Sequence, residues 1–556
     1  MKKKHNSLNI TIAQQNPIVG NIKYNFDLLI EARNKAKKNN SDLIVFSELF
    51  LSGYPPEDLV LRKAFLNEIN HYFNKLLEIT NDGGPAILVG FPTEKNGNIY
   101  NSVGLIDSGE IISIQNKVHL PNYDVFDEQR IFTRGEMPGP MNFRGIKIGV
   151  AICEDIWFED VVECLCETGA ELLITLNGSP FTRNKDDVRL NVAMQRVVES
   201  KLPLIYVNQV GGQDELVFDG GSFVLNSDFT VPLKLPSFSS TTENTEWKKE
   251  RDVWVCKNYK KSPKNQDLND IYSACVLGLK DYVIKNKFKK VIIGLSGGID
   301  SALVASIAVD ALGSDNVQCV MLPSKYTSQE SLEDAKQCAK NLNIIEDEIS
   351  IEKIVQATEL ELQHFFAGLD KDITEENIQS RIRSLLLMSL SNKFNRLLLT
   401  TGNKSEMAVG YATLYGDMSG AYNPIKDLYK TEVYMIANLR NQYKPEIAMG
   451  PSGILIPENI INKPPTAELR ENQTDQDSLP DYNILDDILY KLIEEEMSVV
   501  DIIKAGHDKE WVSKIQNLLF ISEYKRRQAP PGVKISVKNF GKDRRYPITN
   551  NYRDTN

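Results

Sequence analysis

Near the middle of the chain the sequence reads Val291-Ile-Ile-Gly-Leu-Ser-Gly-Gly-Ile-Asp-Ser-Ala302. The β-branched run predicts a strand, the glycine pair predicts a tight turn, and the following residues predict a helix from about Asp300 to Asp310. A helix that begins directly after a glycine turn presents free backbone N–H groups and its positive dipole end to an anion. The stretch therefore predicts a phosphate-binding loop in an α/β domain, with a glycine turn that binds no ligand as the alternative.

This loop differs from the loop of most kinases and ATPases, because no Gly-Lys-Ser/Thr follows the glycines as it does in a Walker A sequence. The run Ser296-Gly-Gly-Ile-Asp-Ser301 resembles the pyrophosphate loop of the N-type ATP pyrophosphatases, which cleave ATP between its α and β phosphates. The carboxylate of Asp300 and the hydroxyls of Ser296 and Ser301 suit metal and phosphate oxygens.

Length and charge limit the classes of protein. The 556 residues exceed one hydrophobic core, so we expect two large domains. With 64 basic and 75 acidic residues the net charge is −11, which argues against nucleic acid and anionic membranes as partners. Polar residues interrupt residues 7–17, so no signal peptide is expected, and no run approaches a membrane-spanning length. The odd, unpaired set of seven cysteines predicts a reducing cytoplasm and no structural zinc.

Strands alternate with helical patterns through most of the chain, which predicts the α/β class. The pattern is interrupted between about residues 236 and 266, where Ser, Thr, Glu and Lys dominate. We therefore predict a connector at 237–267 that separates a domain at 1–236 from a domain at 268–556.

Three apolar runs in the first half each lead into a polar residue: Glu48, Lys117 and Cys153. Strand ends hold side chains rigidly, and α/β active sites are commonly built there. A thiol reacts as its thiolate, a nearby ammonium lowers the thiol pKa, and a carboxylate can take and return the proton. Taken singly, a buried cysteine, a surface lysine and a helix-capping glutamate are the alternatives.

The order and context of these residues resemble the nitrilase superfamily of carbon–nitrogen hydrolases over residues 7 to 235. The segments that carry the resemblance are Phe46-Ser-Glu48 before Gly53-Tyr-Pro, Lys117-Val-His-Leu-Pro121 before Phe126-Asp-Glu128, and Cys153-Glu-Asp155. The resemblance implies an αββα sandwich in which Cys153 attacks an amide carbonyl, Glu48 is the general base and Lys117 stabilises the oxyanion. It also implies a supporting carboxylate and three glutamine-binding side chains: Glu128, and Tyr123, Ser179 and Lys185.

Two assignments in this half stay open. His119 could pair with Cys153, since Cys–His pairs are also nucleophilic. Arg183 could replace Lys185 as the cation that binds the ligand.

The second half carries further polar residues after apolar runs. Leu397-Leu-Leu-Thr-Thr-Gly-Asn-Lys-Ser-Glu406 places a hydroxyl, a glycine turn and a carboxylate after a predicted strand. Arg381 and Arg383 lie two apart on a predicted helix, so their side chains diverge and at most one readily faces a given phosphate. The further polar segments that follow in the chain are Gly410–Asp417, Asn423–Lys430, Pro465–Arg470, Asp475–Asp477 and Glu523–Gln528.

Following the Ser296 loop in this order, these segments resemble the NAD synthetase family over about residues 268 to 545, and the whole chain resembles its glutamine-dependent branch. The resemblance implies a doubly wound, Rossmann-like parallel sheet with Mg²⁺ and ATP as co-substrate. It implies ATP contacts from Gly294, Leu295, Ser296, Gly297, Gly298, Ile299, Asp300, Ser301 and Thr401. It places magnesium near Asp300 and Glu406, and deamido-NAD⁺ near Asn377, Glu406 and Lys525. For Lys525 a solvated helix end is the alternative.

The implied reaction is amidation of deamido-NAD⁺ through an acyl-adenylate, with ATP cleaved to AMP and pyrophosphate and ammonia supplied from L-glutamine by the first domain. A cytoplasmic homo-oligomer is expected from the family. One alternative is an amidotransferase of the same type with another acceptor, as in GMP or asparagine synthesis, although those relatives use different glutaminase domains. The other is a half that serves only as a silent sensor or an assembly module.

Overall fold

The computed structural model describes residues 6–261, 267–471 and 473–554. The chain divides into two units, one of Met1–Gln213 with Val217–Asn265 and one of Asp214–Leu216 with Gln266–Asn556. Among the described residues no helix is long and apolar enough to cross a membrane. All seven cysteines are free thiols.

Within residues 6–261 the first unit contains sixteen strands and four α-helices. The strands are β1 (Ser7–Gln14), β2 (Leu43–Val45), β3 (Ala86–Lys95), β4 (Asn98–Asp107), β5 (Glu110–Asn116), β6 (Met141–Phe143), β7 (Ile146–Ile152), β8 (Leu172–Asn177), β9 (Leu204–Asn208), β10 (Val210–Gln213), β11 (Leu216–Asp219), β12 (Phe223–Leu225), β13 (Leu233–Lys234), β14 (Thr241–Glu250), β15 (Val253–Cys256) and β16 (Lys260–Lys261). The helices are α1 (Ile22–Lys38), α2 (Lys63–Thr80), α3 (Glu159–Glu167) and α4 (Lys185–Ser200).

Two seven-stranded sheets form this unit, in the orders β15-β14-β1-β2-β3-β4-β5 and β16-β13-β12-β9-β8-β7-β6. Apolar side chains of both sheets meet in one core, among them Ile12, Val45, Val150 and Ile174. Helices α1 and α2 pack on the first sheet, and α3 and α4 pack on the second. The predicted αββα sandwich is confirmed, and it buries the ends of β2, β5 and β7 between two layers.

The predicted connector at 237–267 is corrected by the structure. Strand β14 pairs antiparallel with β1 along its full length, from Ser7 opposite Lys248 to Gln14 opposite Thr241. Its sequence is polar because only alternate side chains such as Trp247 turn into the core. Residues 241–256 therefore belong to the first sheet. Residues 262–266 of the predicted connector lie outside the described part of the chain.

The second unit contains four strands and twelve helices within the described ranges. The strands are β17 (Val291–Gly294), β18 (Val317–Met321), β19 (Ile345–Glu348) and β20 (Leu397–Leu399). The helices are α5 (Asp267–Lys285), α6 (Ile299–Leu312), α7 (Gln329–Asn341), α8 (Glu352–Leu362), α9 (Ile373–Phe394), α10 (Lys404–Val409), α11 (Lys430–Gln442), α12 (Glu458–Asn462), α13 (Tyr482–Ile493), α14 (Val499–Lys504), α15 (Lys509–Ile521) and α16 (Glu523–Arg526).

The four strands form one parallel sheet in the order β19-β18-β17-β20. Helices α8 and α9 pack on the side chains of Ile292, Val320 and Leu398, while α6 packs against β17 and β18. The predicted doubly wound sheet is confirmed. Its strand order reverses between β17 and β20, and ligands of such sheets bind beyond the carboxyl ends of the strands at that point. The loop at Ser296 follows β17, and Thr401 follows β20.

Candidate functional sites

The first site begins with an ion pair buried in the first unit. Glu48 follows β2 and Lys117 directly follows β5, and neither side chain is exposed to solvent. Lys117 Nζ donates to Glu48 Oε1 at 2.7 Å and to Glu128 Oε1 at 2.9 Å. The structure thus brings together the predicted base, the predicted oxyanion-stabilising lysine and the predicted supporting carboxylate.

Two further groups hold the Glu48 carboxylate in place. Asn101 Nδ2 donates to its Oε1 at 2.7 Å, and the backbone amide of Gly178 donates to its Oε2 at 2.9 Å. The backbone next to Glu48 packs directly against Gly90 of β3. A Cβ atom at position 90 would lie 2.3 Å from the backbone nitrogen of Leu49, so a side chain there would push this segment away. Sequence reasoning missed Asn101, because an asparagine inside a strand carries no local mark of such a role.

Glu128 is a buried carboxyl that also accepts a hydrogen bond from the Tyr54 hydroxyl at 2.9 Å. Burial raises its pKa to about 7, with the charge of Glu48 adding to the rise and the Lys117 ammonium opposing it. Glu128 therefore gains and loses its proton near neutral pH.

Cys153 comes from the second sheet, as the first residue after β7. Its φ of +45° lies in the left-handed region, a strained conformation that marks functional turns in non-glycine residues. Burial and then the charge of Glu48 raise the pKa of the thiol, and the Lys117 ammonium lowers it only in part. The sequence-based expectation that the ammonium lowers this pKa is correct in sign, but burial outweighs it. Cys153 rests as a thiol and needs a base to react.

Asp155 ties the two sheets together at this site. It is fully buried, and its Oδ1 accepts from the backbone amides of Val118 at 3.0 Å and His119 at 2.8 Å. Its Oδ2 accepts from the amide of Ile152 at 3.1 Å. The segment after Lys117 is thereby fixed to the turn of Cys153.

Two of the three predicted glutamine-binding residues, Tyr123 and Lys185, lie within electrostatic range of the nucleophile. A thiolate at Cys153 would interact electrostatically with both the Tyr123 hydroxyl and the Lys185 ammonium. Tyr123 donates to the carboxylate of Glu154 at 2.9 Å, and Lys185 Nζ lies 4.5 Å from the Trp157 ring centroid. Burial lowers the pKa of Lys185. The sequence did not single out Glu154, although it adjoins the nucleophile.

Ser179 is buried two residues beyond β8, the strand beside β7. Its backbone amide donates to Asn208 Oδ1 at 3.0 Å, and its Oγ accepts from Arg189 Nε at 3.0 Å. Arg189 and Asn208 were missed by sequence reasoning, because each reaches Ser179 only through the fold.

The structure gives His119 another partner. Its Nε2 lies 2.8 Å from Asp160 Oδ1, and its ring stacks on Phe158 with centroids 4.3 Å apart. These contacts favour Glu48 and Lys117 over His119 as the groups that act on Cys153. Arg183 is half-buried near Lys185, and the choice between those two cations stays a prediction.

The second site lies around the predicted phosphate loop. Gly297 has a φ of +78°, and a Cβ atom there would lie 2.3 Å from the backbone oxygen of Ser331. Ser296 Oγ accepts from the backbone amide of Gly298 at 3.3 Å and lies 3.1 Å from Ser301 Oγ. The loop is thus a compact turn at the start of α6 that only glycine permits.

A cavity of about 230 Å³ opens beside this loop. Four of the predicted ATP contacts line it: Gly294, Leu295, Ser296 and Thr401. Arg383 also lines the cavity and donates from Nε to the Leu322 carbonyl at 3.0 Å. Arg381 is exposed and donates to the Leu414 carbonyl at 3.2 Å, so Arg383 is the arginine that faces the cavity.

Asp300 and Glu406, the predicted magnesium ligands, share one cation. The Lys430 ammonium donates to Asp300 Oδ2 and, at 3.3 Å, to Glu406 Oε1. Burial and the charge of Asp300 raise the pKa of Glu406 to about 8. Two carboxylates that converge on a positive charge fit Mg²⁺, which proteins usually bind through one or two carboxylates plus phosphate oxygens. Lys430 was quoted in a sequence segment but was not predicted as a site residue.

The remaining predicted residues border residues 410–413. Asn377 Oδ1 accepts from Thr413 Oγ1 at 2.8 Å. Lys525 Nζ donates to the carbonyls of Gly410 at 2.8 Å and Ala412 at 2.6 Å, and burial lowers its pKa. Lys525 is therefore engaged with the protein, unlike a solvated helix end.

Both halves of the chain match known families. Residues 9–245 match the carbon-nitrogen hydrolase family, and residues 271–529 match the NAD synthase family.

Curated relatives match over nearly the whole chain. A glutamine-dependent NAD(+) synthetase of Rhodobacter capsulatus is 47% identical over 545 residues, which cover 98% of this chain and 99% of the relative. One from Acinetobacter baylyi is 44% identical and covers the same shares of the two chains. A solved structure of the glutamine-dependent NAD+ synthetase from Acinetobacter baumannii, in complex with ADP, is 40% identical with a TM-score of 0.78 and covers 99% of this chain and 100% of that one.

Proposed function

The chain belongs to the glutamine-dependent NAD(+) synthetases, and from this premise we propose that it makes NAD⁺ from deamido-NAD⁺, ATP and L-glutamine as a carbon–nitrogen ligase. One observation carries the proposal. A single chain holds a buried Glu48–Lys117–Cys153 set on an αββα sandwich and a glycine loop at the reversal point of a doubly wound sheet. The first site suits release of ammonia from an amide, and the second suits activation of a carboxylate.

In the first unit Cys153 Sγ attacks the side-chain amide carbon of glutamine. Glu48 takes the thiol proton, and Lys117 stabilises the negative oxygen of the tetrahedral intermediate. Because the thiol pKa is raised, deprotonation waits for the base and the substrate together. Glu48 returns the proton to the leaving nitrogen, ammonia departs, and water hydrolyses the thioester to glutamate with Glu48 again as the base.

A zwitterionic amino acid suits the surroundings of Cys153. Lys185 offers a positive charge for the α-carboxylate, and the buried Glu154 offers a negative charge for the α-ammonium group. Tyr123 and Ser179 add hydroxyl groups. We propose these side chains as the glutamine-binding set.

In the second unit the carboxylate of deamido-NAD⁺ attacks the α-phosphorus of ATP, and pyrophosphate leaves. Ammonia then attacks the acyl-adenylate, the amide forms and AMP leaves. The loop amides at Ser296 to Gly298 and the cation of Lys430 face the phosphates in this proposal. Asp300 and Glu406 would hold Mg²⁺, which when bound neutralises charge on the departing pyrophosphate. Asn377, Glu406 and Lys525 are the proposed dinucleotide contacts.

Self-association and a cytoplasmic location are proposed with the same premise. Exposed apolar side chains on and between α8 and α9 would support an interface between copies: Leu360, Phe365, Leu369 and Ile373. Seven free cysteines suit a reducing compartment.

The test is to incubate the protein with deamido-NAD⁺, ATP, Mg²⁺ and glutamine and to identify the products. We expect NAD⁺, glutamate, AMP and pyrophosphate in equal amounts. ADP with free phosphate would contradict the pyrophosphatase chemistry, and amidation of another acceptor in place of deamido-NAD⁺ would contradict the substrate.

A variant separates the two chemistries. Cys153→Ala should lose glutamine hydrolysis, because among the described residues of this site no other side chain is placed to form the thioester. Ammonium salt at mildly alkaline pH should restore NAD⁺ formation, since free ammonia is then present. Cys164→Ala, a half-buried cysteine on α3, is the matched control and should keep glutamine use. A Cys153→Ala protein that still uses glutamine would remove Cys153 from the mechanism.

A further inference from the structure

Arg189 is a buried guanidinium on α4, only 2% exposed. Its Nη1 lies 2.8 Å from both carboxylate oxygens of Asp219. Its Nε donates to Ser179 Oγ at 3.0 Å, and its Nη2 donates to the carbonyls of Ser179 at 2.7 Å and Pro180 at 2.8 Å. A charge is costly to bury, and here every nitrogen of the guanidinium has a partner. Two of these five bonds end on Ser179.

The chemistry of arginine fixes the direction of the bond to Ser179. A guanidinium has donors and no acceptor, so Ser179 Oγ must be the acceptor of the Arg189 bond. The serine proton then points away from Arg189. With its backbone amide bound to Asn208 and its carbonyl bound to Arg189, the residue has little freedom to turn. Ser179 is left with a proton to donate, either to the neighbouring Tyr206 hydroxyl or to a bound ligand.

We propose that the Arg189–Asp219 pair is a positioning element that sets Ser179 as a hydrogen-bond donor to the glutamine bound before Cys153. The inference rests on the proposed function, in which Ser179 is a glutamine contact. Arg189 touches no reacting atom in this scheme. It acts through the orientation of one hydroxyl group.

Asp219 reduces the energetic cost of burying the positive charge of Arg189. It is itself buried, at the end of β11, and it neutralises Arg189 at close range. The charge of Arg189 already lowers the pKa of Lys185, after the effect of burial. The negative charges of Glu154 and Asp124 oppose this effect on Lys185, while Asp219 pairs with Arg189 itself. The ion pair thus orients Ser179 without displacing the positive charge from Lys185.

The test measures glutamine kinetics of Arg189→Lys, in which one ammonium replaces a planar fork that spans Ser179 and Asp219. We expect the KM for glutamine to rise about tenfold, the value for loss of one charge-assisted hydrogen bond, with kcat changed by less than about twofold. Thermal unfolding followed by circular dichroism on the same samples reports whether the first unit is folded, and the ammonia-dependent rate of NAD⁺ formation reports the second unit.

A double-mutant cycle with Ser179→Ala decides whether Arg189 acts through the serine. If it does, the KM of the double variant should equal that of the worse single variant rather than the product of both changes. Asp219→Asn keeps the shape of the side chain but removes its charge. It should likewise raise the KM for glutamine with little change in kcat. Arg196→Lys, at another buried arginine of α4, is the matched control and should leave the KM unchanged.

The outcomes separate the inference from the proposed function. If the wild-type protein releases no glutamate from glutamine, the proposed function fails. If it does, but Arg189→Lys and Asp219→Asn keep the wild-type KM, or the cycle is additive, the positioning role is overturned.

Discussion

The Oδ1 atom of Asp155 accepts a hydrogen bond from the backbone amide of His119 at 2.8 Å, across the interface between the two sheets of the sandwich. The same carboxylate binds Val118 on one side and Ile152 on the other. The base and the oxyanion-stabilising lysine come from one sheet and the nucleophile from the other. Asp155 therefore sets the distance between the parts of the catalytic set.

The first prediction concerns this carboxylate. In Asp155→Asn the side-chain oxygen can still accept two amides, but the NH₂ group faces the amide of Ile152, donor against donor. We expect stability to fall by about 1–3 kcal/mol and glutamine hydrolysis to fall more than ammonia-dependent synthesis. Urea unfolding and the two rates check this. Unchanged stability together with an unchanged glutaminase rate would show that the bridge has no role.

The second prediction follows from the pKa of Glu128, which is about 7. Below that pH the carboxyl is protonated and its ion pair with Lys117 weakens. The glutaminase rate should therefore fall as the pH is lowered through about 7. Glu128→Gln should be slower than the wild type and should lack this step in its pH–rate profile. A step that persists in the variant would assign the titration to another group.

The raised pKa of Glu128 also predicts how the free energy of unfolding depends on pH. Its folded pKa lies above the ordinary value of about 4.3, so the folded state binds the proton more tightly than the unfolded state. Its contribution to stability is therefore greatest in acid and falls as the pH rises from about 4 to about 7. Denaturant unfolding across that range should show a flatter dependence in Glu128→Gln than in the wild type.

Strand ends account for most of what the sequence could predict. An apolar run followed by Glu48, Lys117 or Cys153 is a local signal, and so is the glycine turn at Gly297. The order of these signals along the chain indicated the family resemblances, and the resemblances predicted the folds of both units. The connector prediction was wrong because the polar composition of β14 masks the alternation of its side chains between the core and the surface. A few side chains that point into the core, such as Trp247, are enough to hold this strand in the sheet.

The partners that hold the sites were beyond reach of the sequence because their contacts are long-range. Asn101 and Glu48 are 53 positions apart, and Lys430 and Asp300 are 130 apart. An asparagine inside a strand or a lysine at the start of a helix has no local mark of its role. Only the topology, which places β2 and β4 on either side of β3 and packs α6 against α11, brings them into contact.

The third prediction tests the phosphate loop. Gly297→Ala should abolish ammonia-dependent synthesis or lower it by more than about tenfold, because the new methyl group meets a backbone oxygen and the φ is left-handed. Gly298→Ala is the matched control, since its Cβ would meet only the flexible Ser296 hydroxyl at 3.3 Å and its φ is ordinary. Equal losses in both variants would argue against a conformational cause.

The fourth prediction concerns Lys525, which holds the carbonyls of Gly410 and Ala412. Lys525→Ala should raise the KM for deamido-NAD⁺ with little change in the KM for ATP or glutamine. Lys509→Ala, at an exposed position of α15, should change none of the three. A wild-type KM for deamido-NAD⁺ in Lys525→Ala would leave the residue with a purely structural role.

The fifth prediction addresses the cation site of the second unit. Asp300→Asn keeps the shape of the side chain but removes the negative charge that faces Lys430, and that a divalent cation would need. We expect the affinity for ATP in the presence of Mg²⁺ to fall about tenfold or more, while the affinity for ATP measured with a chelator present changes far less. Calorimetric titration under both conditions separates the two effects. Asp315→Asn, at an exposed carboxylate just beyond the far end of α6, should behave as the wild type. If Asp300→Asn weakens ATP binding equally with and without Mg²⁺, the carboxylate supports the loop through Lys430 and Asn403 rather than through a metal ion.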